Sequence, residues 1–457
     1  MARLTEDQQA RFVDRWRSLT RHRRLAKFVP ASGAATRMFK DLTAPADPFN
    51  LTGARLLLES LPRFAFREAL RGSLDSQGLA LDTLVGHDQA EPILQALLNP
   101  GGLGYGDAPK GLILFHDHPE GARSALEEQL WEGCGYLSLG GGTGRFHFTV
   151  AATHKVAFGE QIEKLRDAIE RRLKITLEVS FSTQNPDTDT VAVDFDNRPV
   201  RQANDRILLR PAGHGALLKN LQSVDADMVF IKNIDNVSHQ RLHAVSVHWK
   251  RVLAGYFAEI QDQIFDVLSA LDQQLGAQEA VDHGLRLMRD SLAIEVPAKI
   301  LDSDLQIRLQ YVQNRLDRPL RVCGMVKNEG EPGGGPFWLG DEAGGAAGQI
   351  VEAAQIDRAS PDQIEIWESS THFNPVDLVC GLRDRHGNPY DLADFVDPSA
   401  SFVAEKSHAG QPIKALERPG LWNGSMARWN TAFVEVPLQT FTPVKTVFDL
   451  LRPEHQA

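Results

Sequence analysis

The sequence contains few cysteines and lacks any long apolar run. Its three cysteines, Cys134, Cys323 and Cys380, are far apart and odd in number, which argues against a disulfide framework and a CxxC metal site. We interpret them as buried thiols of a reducing compartment. No segment resembles a signal peptide or is long enough to span a bilayer, so we expect a cytoplasmic protein with no membrane partner.

The chain also lacks an excess of positive charge. Its formal net charge is -11, which argues against a nucleic-acid partner held by overall charge, although a local basic pocket is compatible with it. Hydrophobic residues make up 42% of the chain and charged residues 24%, as in globular proteins. The 457 residues suffice for a large core and for more than one structural unit.

A turn of small residues near the amino terminus is the first candidate site. A short apolar run ends at Pro30, and small residues then lead into a predicted helix that Thr36 opens and that carries Arg37 and Lys40. Backbone N–H groups at such a helix start bind phosphate, and the two cations would add charge. The stretch matches neither the Walker pattern nor the dinucleotide fingerprint, and an ordinary strand-to-helix turn explains it equally well.

Strands and helices then alternate, which predicts an α/β sheet with parallel strands. Ligands of such sheets bind at the carboxyl ends of the strands. Polar residues follow several predicted strands at that point, namely Ser32, His116, His118, Thr153, His154, Ser182 and Gln184.

Two of these residues, His116 and His118, are at alternate positions and could bind a metal from one face of a strand. No third ligand is evident nearby in the sequence. The helix predicted from Gly121 to Trp131 carries Arg123, Glu127 and Glu128, which we assign to a solvated face in preference to a pocket lining.

The middle of the chain holds two further motifs. Gly213-His214-Gly215 at a predicted helix start suits close approach to a flat or phosphorylated ligand. A buried strand over Met228–Ile231 leads into Asn233-Ile234-Asp235-Asn236, where Asp235 is a natural ligand for a hard cation, or else part of an Asx-turn.

Two tryptophan–asparagine pairs stand near the carboxyl terminus. Trp422 precedes Asn423 and Trp429 precedes Asn430. Either the tryptophans are core anchors or the asparagines bind sugar hydroxyls.

We expect four segments along the chain. They are a docking helix (1–24), a nucleotide-binding α/β half (25–237), a helical insertion (238–318), and a C-terminal part of the same α/β domain with the acceptor-side strands (319–457).

Three of these stretches together resemble the UDP-sugar pyrophosphorylase type of sugar-1-phosphate nucleotidyltransferase. Ala31 to Lys40 is similar to the glycine-rich loop of that superfamily, which ends in Gly-Thr-Arg. Gly213-His214-Gly215 resembles the Gly-His-Gly turn of UTP–glucose-1-phosphate uridylyltransferases, and residues 233–236 match their Asn-Ile-Asp-Asn. The whole chain also resembles a bacterial family, common in Bacteroidetes, that is described as a domain of unknown function.

This resemblance implies a nucleotide-diphospho-sugar transferase fold (GT-A, Rossmann-like), which is a mixed sheet flanked by helices. It implies a set of nucleotide-binding residues, namely Ala31, Ser32, Gly33, Ala34, Thr36, Gly213, His214 and Gly215. Asp235 would hold Mg²⁺, and Arg37 and Lys40 would stabilise charge on the phosphates. No motif identifies the lysine for the acceptor phosphate; we choose Lys406, because it follows a strand-like run late in the sheet. Candidate acceptor-binding residues are Asn233, Asn236, Asn423 and Asn430.

The implied reaction joins a nucleoside triphosphate to a sugar-1-phosphate-like acceptor and releases pyrophosphate. The acceptor is already an anion, so no general base is needed, which agrees with the lack of a Ser/His/Asp or Cys/His constellation in the sequence. Ser32 and Ala35 stand where the superfamily has glycines, and a Cβ at Ala35 disfavours a positive φ. This departure favours an alternative, a catalytically silent protein that binds a nucleotide or nucleotide sugar. A third alternative is a structural α/β scaffold.

Overall fold

The computed structural model describes residues 1–33, 35–42, 51–139, 141–273, 276–330, 333–340 and 344–457. Ala34, which we predicted to bind the nucleotide, lies outside the described residues. The α-helices are Glu6–Leu19, Leu51–Ser60, Arg67–Asp75, Leu81–Gly86, Ala90–Leu98, Ala125–Leu137, Lys155–Leu173, Leu218–Gln222, His243–Asp272, Ala277–Asp290, Ala298–Leu301, Leu305–Leu316 and Pro361–Glu368. The strands are Leu25–Pro30, Leu114–His116, Arg123–Ser124, Thr143–Thr149, Thr176–Ser182, Thr190–Val193, Leu209–Arg210, Met228–Ile231, Ile294–Glu295, Leu320–Lys327, Gly335–Gly340, Ala346–Val351, His372–Gly381, Phe402–His408, Gln411–Glu417 and Asn430–Glu435.

The chain divides into two compact units, each built from separate stretches of sequence. The first unit comprises residues 1–28, 184–231 and 249–438. The second unit comprises residues 29–183, 232–248 and 439–457. Both units therefore depend on contacts between residues that are far apart in the sequence.

The first unit is built on a mixed sheet. Its strands lie in the order Asn430–Glu435, Leu320–Lys327, His372–Gly381, Met228–Ile231 and then the strand that begins at Leu25. The two outer pairs are parallel, and His372–Gly381 is antiparallel to both of its neighbours. The predicted mixed α/β sheet flanked by helices is confirmed.

The centre of this sheet is buried on both faces. All four residues of Met228–Ile231 and all ten residues of His372–Gly381 are buried, which is typical of strands covered on both sides. Side chains of Phe28, Ile231 and Leu378 belong to one continuous core cluster. The charged side chains inside these strands are buried as well, and Asp377 of His372–Gly381 pairs with Lys250.

Two smaller sheets complete the first unit. Phe402–His408, Gln411–Glu417, Thr190–Val193 and Leu209–Arg210 form an antiparallel sheet in that order. Gly335–Gly340, Ala346–Val351 and Ile294–Glu295 form a three-stranded antiparallel sheet.

The second unit contains one complete strand–helix–strand crossover. Thr143–Thr149 and Thr176–Ser182 are parallel over all seven residues, and helix Lys155–Leu173 connects them. A parallel pair requires such a crossover, because its two strands start at the same end of the sheet. The backbone N–H of Ala31 donates to the carbonyl of Thr149 (2.8 Å), which places the predicted phosphate turn at the carboxyl end of this pair.

The cysteines agree with their predicted character. All three are buried free thiols, and burial raises the pKa of Cys323 to about 11. In the described part of the chain, no helix has both the length and the apolar character that a membrane span requires.

The amino-terminal helix Glu6–Leu19 docks within the first unit. A capping box between Thr5 and Gln8 starts it, and Phe12 and Trp16 are buried. Helix His243–Asp272 passes so close to it that a Cβ built at Gly255 would lie 2.0 Å from the carbonyl oxygen of Phe12. A residue without a side chain is therefore required at this contact.

Replacing Gly255 by alanine is expected to lower the free energy of unfolding by about 1–3 kcal/mol, because the added methyl overpacks this contact. The sign of the change in the free energy of unfolding is informative, because glycine to alanine inside an exposed helix raises that free energy by about 1 kcal/mol. Gly159→Ala is the matched control, because its added Cβ has no atom within 4 Å. Differential scanning calorimetry measures both, and an unchanged or raised Tm for Gly255→Ala contradicts the contact.

Candidate functional site

The predicted phosphate turn folds as two short 3₁₀ turns, Ala35–Arg37 and Lys40–Leu42. The prediction of a helix that starts at Thr36 is therefore wrong. Bonds within each turn are short-range, from the Met38 N–H to the Ala35 carbonyl and from the Leu42 N–H to the Phe39 carbonyl. Other segments supply further partners: the Ala35 N–H donates to the Ala108 carbonyl, and the Val447 N–H donates to that of Met38. Tertiary partners thus satisfy groups that a helix would otherwise pair internally.

The turn presents cations to solvent. Arg37 and Lys40 are exposed, and neither forms an ion pair with any residue that the structure describes. Thr36 is exposed and donates to the Gly106 carbonyl (3.2 Å). Ala35 is fully buried at the start of its 3₁₀ turn, and its φ is not positive. An alanine in place of the superfamily's glycine is therefore compatible with this backbone.

Lys110 connects this turn to the predicted metal ligand. Its backbone N–H donates to the carbonyl of Gly33 (3.3 Å). Its side-chain Nζ donates to Oδ2 of Asp235 and to the Val444 carbonyl, each at 2.9 Å. The lysine and aspartate side chains are mostly buried, with 15% and 21% exposure. The phosphate turn and Asp235 thus lie on either side of one lysine.

The Asn233–Asn236 turn is held by its backbone. Gln129 donates to the carbonyls of Asn233 (2.8 Å) and Ile234 (3.2 Å), and the Val444 N–H donates to that of Asp235 (3.0 Å). The side chain of Asn236 is buried, and its Oδ1 accepts from the Thr442 N–H (2.9 Å).

These contacts separate the two predicted acceptor-binding residues of this turn. Asn236 anchors the carboxyl-terminal segment, whereas Asn233 is half-buried. Asp235 Oδ1 has no hydrogen-bond partner among the described residues. One carboxylate with an oxygen to spare fits Mg²⁺, which typically takes one or two carboxylates and completes its shell with water and phosphate.

The Gly213-His214-Gly215 turn lies in the first unit. Gly213 has a φ of 74°, and a Cβ there would lie 2.5 Å from Oε2 of Glu417. A Cβ on Gly215 would lie 2.0 Å from the Pro419 carbonyl oxygen. Both glycines are thus required for close packing of the segment 417–419.

The His214 ring is fixed on three sides. It stacks on Trp422 at 4.3 Å, its Nδ1 accepts from the Leu421 N–H (2.9 Å), and its Nε2 lies 3.9 Å from Oε1 of Glu352. Trp422 also donates to Glu352 (2.9 Å). Burial raises the pKa of Glu352, but His214 and Trp422 outweigh it and bring the pKa below its ordinary value.

The remaining candidates of the first unit, Lys406, Asn423 and Asn430, already have protein partners. Lys406 lies in the four-stranded antiparallel sheet, which corrects its predicted place late in the main sheet, and it pairs with Glu417 at 3.0 Å. Asn430 is fully buried and donates to the Leu316 carbonyl (2.9 Å). Asn423 is also buried and donates to Gln355 (2.8 Å).

A second polar cluster lies in the second unit, and it corrects the predicted solvated face of the helix that begins near Gly121. Glu128 is fully buried, with Oε1 3.0 Å from His116 Nδ1 and 2.6 Å from His118 Nε2. Burial raises the pKa of Glu128, but hydrogen bonds from the histidines, His116 first, bring it well below its ordinary value. Burial lowers the pKa of His116, and that of His455 falls to about 3.

The structure thus unites some candidates and reveals others. In the second unit it brings together the phosphate turn, Lys110 and Asp235; in the first it packs His214 against Trp422 and sets Gly213 beside Glu417, the partner of Lys406. Sequence reasoning missed Lys110 and misplaced Glu128. The only sequence signal for Lys110 was its place just before a strand, and Glu128 and Glu132 at a spacing of four mimic a solvated helix face.

Comparisons with known proteins agree with the predicted resemblance. A family profile described as "Domain of unknown function (DUF4301)" matches residues 1–456. A search of curated proteins finds no significant match.

Solved structures of pyrophosphorylases are among those similar to this chain. UDP-N-acetylglucosamine pyrophosphorylase from Trypanosoma brucei has a TM-score of 0.46 and 12% identity, and the match covers 98% of this chain and 68% of that one. A UDP-glucose pyrophosphorylase variant from Leishmania major has a TM-score of 0.43 and 13% identity, and the match covers 97% of this chain and 66% of that one. UDP-glucose phosphorylase from Trypanosoma brucei has a TM-score of 0.44 and 13% identity, and the match covers 95% of this chain and 67% of that one. The chain spans about two thirds of their length, and at these scores the likeness assigns no activity to it.

The contact between Lys110 and Asp235 is expected to stabilise the second unit. We predict that Lys110→Met and Asp235→Asn each lower the free energy of unfolding, and that a double-mutant cycle gives a coupling of up to about 1 kcal/mol. The coupling should decrease with added salt, because both side chains are partly exposed. Urea denaturation of the four proteins measures it, and purely additive effects of the two changes contradict a direct ion pair.

Proposed function

This chain belongs to the DUF4301 family, and we propose that its activity is nucleotidyl transfer from a nucleoside triphosphate to a phosphorylated small-molecule acceptor, with release of pyrophosphate. The observation that carries the proposal is Lys110, whose backbone bonds to Gly33 of the phosphate turn while its Nζ lies 2.9 Å from Asp235. A cationic turn and a carboxylate with a spare oxygen are thereby joined by one residue. That is the combination that binding of a metal–triphosphate complex requires.

In this proposal the turn holds the triphosphate. Arg37 offers a planar fork of donors and Lys40 a compact charge, and both are exposed and without ion-pair partners among the described residues. The hydroxyl of Thr36 and the open space around Gly33 lie on the same stretch. These groups suit the β- and γ-phosphates, which leave as pyrophosphate.

Asp235 is the residue that would hold Mg²⁺. When bound, Mg²⁺ neutralises negative charge on the phosphate oxygens and holds them in one orientation. The turn of Asp235 is fixed by Gln129 and by the backbone of Val444, so the carboxylate needs little reorganisation to act as a ligand. Lys110 Nζ, already beside the carboxylate, adds a second positive charge at the same point.

The chemistry is an in-line displacement. An oxygen of the acceptor phosphate forms a bond to the α-phosphorus, and the bond from the α-phosphorus to the bridging oxygen breaks, with its electron pair leaving on pyrophosphate. The attacking oxygen is already ionised, so catalysis consists of positioning and of charge neutralisation by Arg37, Lys40 and Lys110. No side chain has to accept a proton.

The residues predicted to contact the base and the acceptor phosphate belong to the first unit. The stacked pair of His214 and Trp422 has the flat surface that a base needs, and Gly213 shares its surroundings with the ion pair of Lys406 and Glu417. Lys406 would have to exchange Glu417 for the acceptor phosphate. Of the four asparagines, only Asn233 is not buried, so we retain it as the acceptor-binding candidate.

The alternative function is binding of a nucleotide or nucleotide sugar without turnover. The ion pair between Asp235 and Lys110 favours it, since a carboxylate already paired with a lysine binds a metal less readily. A thermal-shift panel of nucleoside triphosphates and nucleotide sugars, with and without Mg²⁺, identifies the ligand, because a ligand of the folded state raises Tm. Assays of pyrophosphate release with that nucleotide then separate the two functions.

Asp235→Asn is expected to reduce pyrophosphate release by about 100-fold or more, because it removes the charge that would hold Mg²⁺. The nucleotide should still shift Tm in this variant, but the shift should no longer depend on Mg²⁺. Asp266→Asn is the control, since Asp266 is an exposed carboxylate on helix His243–Asp272.

Four outcomes decide between the functions. Mg²⁺-dependent turnover that only Asp235→Asn loses supports the transferase. Mg²⁺-dependent binding without turnover in the wild-type protein replaces it with the silent binder. Unchanged turnover in Asp235→Asn excludes Asp235 as the metal ligand, and no shift with any nucleotide excludes both functions.

A further inference from the structure

Three buried side chains of the second unit converge on one point. His116 at the end of strand Leu114–His116, His118 two residues later, and Glu128 in the first turn of helix Ala125–Leu137 each offer one atom, and these atoms lie within 4.8 Å of one another. We propose that this trio is a binding site for a divalent transition-metal ion of the zinc class, separate from the Mg²⁺ site assigned to Asp235.

The donor atoms lie at hydrogen-bond distance from one another, slightly closer than the ligands of a bound ion would be. Oε1 of Glu128 lies 3.0 Å from Nδ1 of His116 and 2.6 Å from Nε2 of His118. Zinc binds imidazole nitrogen and carboxylate oxygen at about 2.0–2.2 Å, so donors of a tetrahedral site are about 3.3–3.5 Å apart. Movements of a few tenths of an ångström up to about 1 Å would therefore open the trio around an ion. Rotation of the three side chains supplies such movements without changing the backbone.

The charge of the trio calls for a cation. Glu128 is fully buried, and its ion-pair partners among the described residues are all histidines: His116, His118 and His243. A buried carboxylate is costly unless a positive charge compensates it. Neither lysine nor arginine pairs with Glu128 in the described chain, whereas Glu132, one turn later, has Lys232 at 2.5 Å. A divalent ion would supply the missing charge.

Three further histidines contact the side chains of the trio. Nε2 of His116 lies 2.8 Å from Nδ1 of His455, so a ligating Nδ1 leaves the other ring nitrogen to donate to His455. Nε2 of His243 lies 3.2 Å from the second oxygen of Glu128. His239 stacks on His118 at 4.2 Å. Such outer contacts orient the ligand rings and fix their tautomers.

The donor set indicates which metals fit. Two imidazoles and one carboxylate suit zinc and its borderline neighbours, whereas Mg²⁺ and Ca²⁺ prefer oxygen ligands alone. Three protein ligands leave a fourth position of a tetrahedral ion for a water molecule. The sequence displayed the two histidines without a third ligand, and the third comes from a helix that the pattern had assigned to solvent.

Metal binding to the untagged full-length protein tests the proposal directly. After removal of metals with a chelator and dialysis, titration calorimetry with Zn²⁺ should show one equivalent bound, and elemental analysis should find it after gel filtration. Co²⁺ should give visible absorption bands typical of a four- or five-coordinate site, and Zn²⁺ should displace them.

Variants locate the site. Glu128→Gln keeps the shape of the side chain but removes its charge. Glu128→Gln and His118→Ala should each abolish stoichiometric binding of zinc. His455→Gln should weaken the affinity for zinc by about 10- to 100-fold, because His455 orients His116 without ligating the ion. His386→Ala, on an exposed turn, should bind as the wild-type protein does. All of these readouts are independent of nucleotidyl transfer.

X-ray absorption at the zinc edge tests the site in the wild-type protein, so it does not depend on whether a variant folds. In the wild-type protein it should show a shell of nitrogen and oxygen with imidazole scattering. If the wild-type protein binds no zinc, or if Glu128→Gln folds and binds zinc normally, the trio is a hydrogen-bond network and the proposal is wrong. Equal loss in His386→Ala would also contradict it.

Discussion

Buried polar side chains that must find partners organise the second unit. Helix Ala125–Leu137 is almost entirely buried, yet it carries Glu128, Gln129 and Glu132. Each of them is costly in the interior unless it is paired. Glu128 is surrounded by histidines, Gln129 holds the carbonyls of Asn233 and Ile234, and Glu132 pairs with Lys232. One helix thus fixes the segment that contains the candidate aspartate.

The position of Asp235 follows from this constraint. Gln129 sets the backbone of its turn on one side, and the segment around Val444 sets it on the other. Lys110 can then reach the carboxylate while its own backbone remains bonded to the phosphate turn. The exposed charges of the phosphate turn and the buried charges of the histidine cluster therefore belong to different residues. The exposed cations suit a phosphorylated ligand, and the enclosed histidines and Glu128 suit a metal ion.

Local patterns in the sequence predicted a considerable part of this arrangement. The buried strand Met228–Ile231 and the α/β class were predictable, because continuous apolar runs indicate burial and alternating elements indicate crossovers. The alternation predicted parallel strands, and the mixed sheet was implied only by the family resemblance. The three motifs were recognisable because each is short and contiguous. The helix predicted at Thr36 failed, since its backbone groups bond to residues near 108 and 447. No local pattern contains such partners.

The same reason explains what was missed. Lys110 and Asp235 are separated by 125 residues, and His116 and His455 by 339. Glu128 was assigned to solvent because a helix that carries Arg123, Glu127 and Glu128 is typical of a solvated charged face. Only the packing around the helix shows that Glu128 is enclosed. Long-range pairing of charges is set by the fold as a whole, which a reading of short motifs does not resolve.

Hydrogen–deuterium exchange of the full-length protein tests most directly whether the turn and the aspartate form one triphosphate site. Exchange would be followed by mass spectrometry in the presence of saturating nucleoside triphosphate, with and without Mg²⁺. We expect slower exchange in peptides covering residues 35–42, 108–112 and 232–236 together, and we expect Mg²⁺ to increase the protection at 232–236. Unchanged exchange in these three segments, with the nucleotide bound, would show that the triphosphate binds elsewhere and would contradict the account.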